Sequence, residues 1–74
     1  MDITLSKRSA TDGTHVGTIT TKSAADITPY VYNTIGLSGS ATNRQLVDNN
    51  TLLLTLSNIT SSFTDGIVNI HYID

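Results

Sequence analysis

Arg44-Gln45-Leu46-Val47-Asp48-Asn49-Asn50-Thr51-Leu52-Leu53-Leu54-Thr55-Leu56-Ser57 sets a short Asn-Asn connection between two β-prone runs. Asn tolerates positive φ better than most residues, so the pair predicts a hairpin whose arms are Arg44 to Asp48 and Thr51 to Ser57. Side chains alternate across a strand, which puts Leu52, Leu54 and Leu56 on one face as core. Leu53 falls on the other face, semi-exposed or packed on a partner.

Downstream, Asn58 to Phe63 reads as a loop or crossover in which Ile59 and Phe63 plug one end of the core. The turn Asp65-Gly66 then starts a last strand, Ile67 to Ile73, with Val68, Ile70 and Tyr72 opposed to Ile67, Asn69, His71 and Ile73. Both of its faces are partly apolar, which suits a central position or a second packing surface. Upstream, Gly36 to Thr42 is a Gly/Ser/Thr loop suited to a surface crossing, and Ile27 to Ile35 reads as a strand whose start, at Pro29, lies at an edge or outside the ladder. Ser23 to Asp26 is a small polar connection. In the strand His15 to Lys22, Val16 and Ile19 have opposite parity around Gly17, so a bulge at Gly17 is expected to bring both to one face. Asp12-Gly13 marks the preceding loop, and Asp2 to Ser6, with Ile3 and Leu5 alternating with polar neighbours, reads as an edge strand.

Six or seven short strands at spacings of about 8 to 12 residues predict an all-β fold, a small Greek-key β-sandwich. Composition agrees: all six acids are Asp, Glu is absent, and Thr, Ser, Ile and Val outweigh strong helix formers. No crossover helices are legible, which excludes a layered α/β fold. Residues 1–74 are expected to form one domain, near the lower limit of size for folding alone, so added buried area from a neighbour would help.

With the strands placed, several stretches form a pattern across nearly the whole chain. They are Ile3-Thr4-Leu5-Ser6, Gly13-Thr14-His15-Val16-Gly17-Thr18-Ile19, Tyr30-Val31-Tyr32, Leu46-Val47-Asp48-Asn49-Asn50-Thr51-Leu52 and Val68-Asn69-Ile70-His71-Tyr72-Ile73-Asp74. The pattern resembles the cadherin-like domains of bacterial and phage-encoded surface proteins, a resemblance that implies a β-sandwich. That family binds Ca²⁺ through Glu residues together with Asp-rich linkers. Glu is absent here, so the resemblance carries the fold and not the calcium chemistry.

The remaining residues point away from catalysis, and an enzyme is not expected. There is no cysteine for a disulfide or a thiolate metal site. His15 and His71 lack a companion ligand set and read as surface histidines. Gly36-Leu37-Ser38-Gly39-Ser40 misses the nucleophile-elbow pattern by one position, and no Lys follows it to make a phosphate loop. The net charge of −2 and the single basic pair Lys7-Arg8, read as part of a solvated loop, argue against nucleic acid. No run approaches the roughly 20 apolar residues of a membrane helix, and Met1 to Ser9 lacks a signal peptide's apolar stretch, which leads to an expectation of cytosolic synthesis if Met1 is the natural start. Asn49-Asn50-Thr51 and Asn58-Ile59-Thr60 fit the glycosylation pattern but read as turn chemistry.

Exteriors and strand edges are then the places left to act. The surface is rich in Thr, Ser and Asn and poor in charge, which suits docking on another β protein by sheet extension. Asp2 to Ser6 and Ile67 to Ile73 are the expected edges, with Ile3, Leu5, Leu53, Ile67, His71 and Ile73 as interaction residues and Tyr30 and Tyr32 as weaker ligand-stacking candidates. The expected function is that of a structural protein acting through other protein subunits, oligomeric or bound to a lattice. A bacteriophage capsid decoration (cement) protein of the virion, made in the host cytoplasm, fits it, with no cofactor, nucleic-acid or membrane partner. The alternative is an adhesion or carbohydrate-binding module of a larger protein at the bacterial cell surface.

Overall fold

Three strands and one helical turn make up the regular structure in the computed structural model, which describes residues 1–60 and 66–71. The strands are β1 (Asp2–Ser9), β2 (His15–Lys22) and β3 (Asn50–Ser57), and the helical turn is α1 (Ala41–Arg44). They form one antiparallel sheet in the order β2-β1-β3.

The first hairpin follows from its turn. Gly13 takes φ 75°, the Asp12 carboxylate accepts the Thr14 N–H at 3.0 Å and its hydroxyl at 2.8 Å, and Ser9 and Thr14 close the loop through a 2.9 Å backbone bond. Gly adopts that φ without a Cβ clash, and the carboxylate fixes the chain two residues on. β2 then departs twice from even pairing with β1. Leu5 faces Thr20 while Ser6 faces Thr18, and Lys7 faces Gly17 while Arg8 faces His15, leaving Ile19 and Val16 as the extra residues. The irregularity expected at Gly17 thus falls on either side of it. The two apolar residues do not share an environment: Ile19 is wholly buried and Val16 is exposed.

β3 returns from far along the chain to the other side of β1, in unbroken register from Asp2↔Ser57 to Ser9↔Asn50. Residues opposite one another share a face, so Ile3, Leu5 and Lys7 lie beside Leu56, Leu54 and Leu52. Among the described residues the buried apolar side chains are Ile3, Leu5, Ile19 and Ala25, a thin core. Two polar ties hold the strand ends. At one end the Asp2 carboxylate accepts the Ala24 N–H beyond β2, at 2.9 Å, and the Asn58 amide beyond β3. At the other end the Asn49 carbonyl accepts the Ala10 N–H at 2.8 Å, and the Asn49 side chain bonds the Thr11 hydroxyl.

Several expectations are corrected. Among the described residues the six- or seven-stranded Greek-key sandwich is not formed; three strands lie in one open sheet. Asp2 to Ser6 is not an edge, because β1 is paired on both sides, and Ile3 and Leu5 are consequently buried. Ile27 to Ile35 is no strand. Its Asn33 side chain bonds the Thr28 N–H at 2.9 Å, the Thr28 carbonyl at 2.8 Å and the Val31 carbonyl at 3.1 Å, and Tyr30 takes φ 66°, so local bonds replace a ladder.

Arg44 to Asp48 is no hairpin arm either. Ser40 caps α1 by accepting the Asn43 N–H, and the Thr42 and Gln45 carbonyls are taken by Lys7. The Asn turn itself does form, with Asn49 at φ 70°, but it leads into β3 from a loop. Of the expected last strand, Ile67 to His71 carries no regular structure, while Tyr72 and Ile73 lie outside the described residues, as does Phe63.

Candidate functional site

The two outer strands of the sheet differ in kind. β2 is bulged twice, and residues 36–39 bond to it: the Gly39 N–H reaches the Ile19 carbonyl at 2.7 Å, and the buried Thr20 hydroxyl meets the Gly36 carbonyl at 2.8 Å and the Ser38 hydroxyl at 2.9 Å. A bulge leaves its extra residue out of the ladder, and here the Ile19 carbonyl is taken up by the loop. Gly39 is required for that approach, since a Cβ there would stand 2.5 Å from the Ile19 oxygen. Gly17 likewise leaves room for the Asn43 side chain.

β3 has none of these devices. It is straight, without a register shift, and no described strand lies on its outer side. Asn49 to Thr64 contains no charged residue, so the edge lacks the lysines, prolines and bulges that normally blunt exposed strands. Leu52 and Leu56, expected in the core, are 37% and 43% exposed, and Leu53 on the opposite face is 42% exposed. The segment 36–45 reaches Lys7 and β2 but leaves the Leu row of β3 open, which is why the alternation was legible and the exposure was not.

Lys7 is the residue whose role the sequence hid. It is no part of a solvated loop: it is 5% exposed in mid-strand, and its Nζ donates to the carbonyls of Thr42 at 3.0 Å and Gln45 at 2.9 Å. Those carbonyls lie at the end of α1, where a cation is favoured. The ammonium group therefore fastens the α1 segment to the sheet.

Of the residues expected to interact, Leu53 is exposed on the free outer strand, whereas Ile3 and Leu5 are enclosed in the central one. Ile67 and His71 are exposed outside regular structure, and Ile73 lies outside the described residues. Tyr30 and Tyr32 are both essentially fully exposed, flanking exposed Val31 on the turn that Asn33 clamps. His15 is exposed at the start of β2. Among the described residues no three His or Asp side chains converge on a metal position. The shifted carboxyls, Asp2 and Asp12, are held below the ordinary 3.8, Asp2 chiefly by the Ala24 N–H and then by Asn58, Asp12 chiefly by the Thr14 N–H and then by its hydroxyl. These bonds tie the strand ends at Asp2 and close the first turn at Asp12.

Comparison with protein-family models, with curated proteins and with solved structures gives no match. No helix among the described residues is long and apolar enough to cross a membrane.

Proposed function

We propose that the chain is a structural subunit that works by protein–protein contact, and that a decorated bacteriophage capsid is the setting it serves, as a cement protein. The observation that carries this reading is surface. The chain exposes 5812 Å², whereas a compact monomer of 7.9 kDa exposes about 4,400 Å². Its radius of gyration is 13.2 Å, against about 11 Å for a compact chain of this length. Apolar side chains contribute to that excess on β3 and on the 30–32 turn.

A subunit of this kind gains its missing buried area from neighbours, and a capsid lattice supplies neighbours in fixed, repeated positions. Anything that binds the folded chain and not the unfolded one stabilises it by mass action. Scarcity of charge favours the same use, since it removes repulsion between closely spaced copies. Particle co-purification tests the reading: the chain is expected to sediment with phage particles in constant proportion to the capsid protein. Recovery in the free fraction alone would overturn it.

A second reading, a carbohydrate-binding module, is favoured by the Tyr30 to Tyr32 turn, whose aromatic rings are free to stack on sugar faces. Glycan-array binding that Tyr30→Ala or Tyr32→Ala abolishes would put this reading in place of the first.

A further inference from the structure

The outer strand β3 allows a more specific statement, which rests on the assembly reading and names a partner for one surface. We infer that β3 pairs antiparallel with β3 of a second copy of this chain, about a two-fold axis centred on Leu54.

Self-pairing demands that a strand complement its own reverse. A two-fold axis normal to the sheet keeps each side chain on its face, so opposed residues must have the same parity and the axis must pass through a residue. Centring on Leu54 sets Leu54 against Leu54 of the second copy, Leu52 against Leu56 in both directions, and Thr51 against Ser57. Leu53 then meets Thr55 on the opposite face. The row of Leu that runs beside Ile3 and Leu5 would thereby continue across the interface, apolar against apolar and hydroxyl against hydroxyl.

Charge and exposure favour the same occupant. With no ionised group from Asn49 to Thr64, reversal of the strand brings no like charges together. On β3 the apolar side chains left exposed for such a seam are Leu52, Leu53 and Leu56. β2, bulged and bonded to residues 36–39, offers no equivalent straight edge, so pairing through β3 closes at two copies instead of growing into a fibre.

The chain contains no cysteine, so a disulfide formed after Leu54→Cys can only join two chains. Residues directly opposed across antiparallel strands have Cα atoms roughly 4.5 to 5.5 Å apart, within disulfide reach. Mild oxidation of Leu54→Cys is expected to yield covalent dimer as the main product. Thr51→Cys, about 20 Å from its own copy in this register, should yield less than a tenth as much. Light scattering of the unaltered chain is expected to give twice 7.9 kDa at tens of micromolar, and it decides the matter if a variant fails to fold. A monomer at every concentration, or cross-linking as strong at 51 as at 54, would overturn the pairing. The wider reading fails separately: a monomer that still sediments with particles sinks the two-fold pair alone, and a dimer that never does so sinks the capsid role alone.

Discussion

Lys7 carries its ammonium group into a chain that has little core, and two backbone carbonyls are its reward for leaving water. Lys7→Met keeps the stem and removes the two bonds that Nζ donates to the Thr42 and Gln45 carbonyls. A hydrogen bond to a charged group contributes about 1.5 to 3 kcal/mol, and less where its partner is exposed to water. The variant should therefore unfold at lower urea and show faster protease cleavage within residues 36–45; unchanged cleavage there would show that Lys7 does not fasten the segment. Its adjacency to Arg8 suggested a solvated pair because two neighbouring basic residues carry no information about which side of a strand is covered. Asp2 and Asp12 make the acid limb of stability predictable. Both have folded pKa values below the ordinary 3.8, so each stabilises the fold at pH above that value and loses its contribution as pH falls through the folded value. Melting temperature should be flat from neutrality to about pH 5 and decline below about pH 4. The Asp2→Asn, Asp12→Asn double variant should show a shallower decline, and an identical acid limb would assign the effect elsewhere.

At the scale of elements, two glycines in one loop separate a required approach from mere flexibility. Gly39→Ala would place a methyl group 2.5 Å from the Ile19 oxygen and 2.7 Å from that of Thr18, both backbone, whereas nothing stands within 4 Å of a Cβ at Gly36. Gly39→Ala is expected to cost about 1 to 3 kcal/mol, and Gly36→Ala to be within about 0.5 kcal/mol of neutral. Urea titration of both variants checks the contrast, and equal losses would show that the loop does not close on β2 through Gly39. The same elements show what the sequence could convey. Asp12-Gly13 located the first hairpin because the turn is made by its own residues. Asn49-Asn50 located a turn for the same reason, and the alternation placed Leu52, Leu54 and Leu56 on the face of Ile3 and Leu5, where Leu52 and Leu56 nevertheless stay exposed. The partner of β3 was not legible, because turn chemistry speaks only for neighbours in sequence, and β3 pairs with residues more than forty positions away. Ile27 to Ile35 misled through its alternating aromatics, since Asn33 bonds the backbone of Thr28 and folds the segment on itself.

For the whole molecule, the described residues form a three-stranded sheet with four buried apolar side chains, so the proposed pairing would add burial that one chain lacks. Small domains bury a smaller fraction of their surface than large ones, and this chain buries less than its mass allows. If folding is coupled to pairing through β3, stability depends on protein concentration, because the folded pair and the separate unfolded chains differ in number of particles. A tenfold rise in concentration then adds about 1.4 kcal/mol per pair, or about 0.7 kcal/mol per chain. For a domain of this size, 1 kcal/mol moves the melting temperature by about 4 to 8 °C. Melting temperature is therefore expected to rise by about 3 to 6 °C for each tenfold increase in concentration, followed by circular dichroism between about 2 and 200 µM. Leu53→Lys is the informative companion. The side chain already stands exposed on the face away from Ile3 and Leu5, so the substitution leaves the core of one chain alone while setting a charge beside Thr55 of the second copy. It should weaken the concentration dependence more than it lowers the melting temperature at the dilute end. A melting temperature independent of concentration in the unaltered chain would mean that one chain, despite its open sheet, folds on its own.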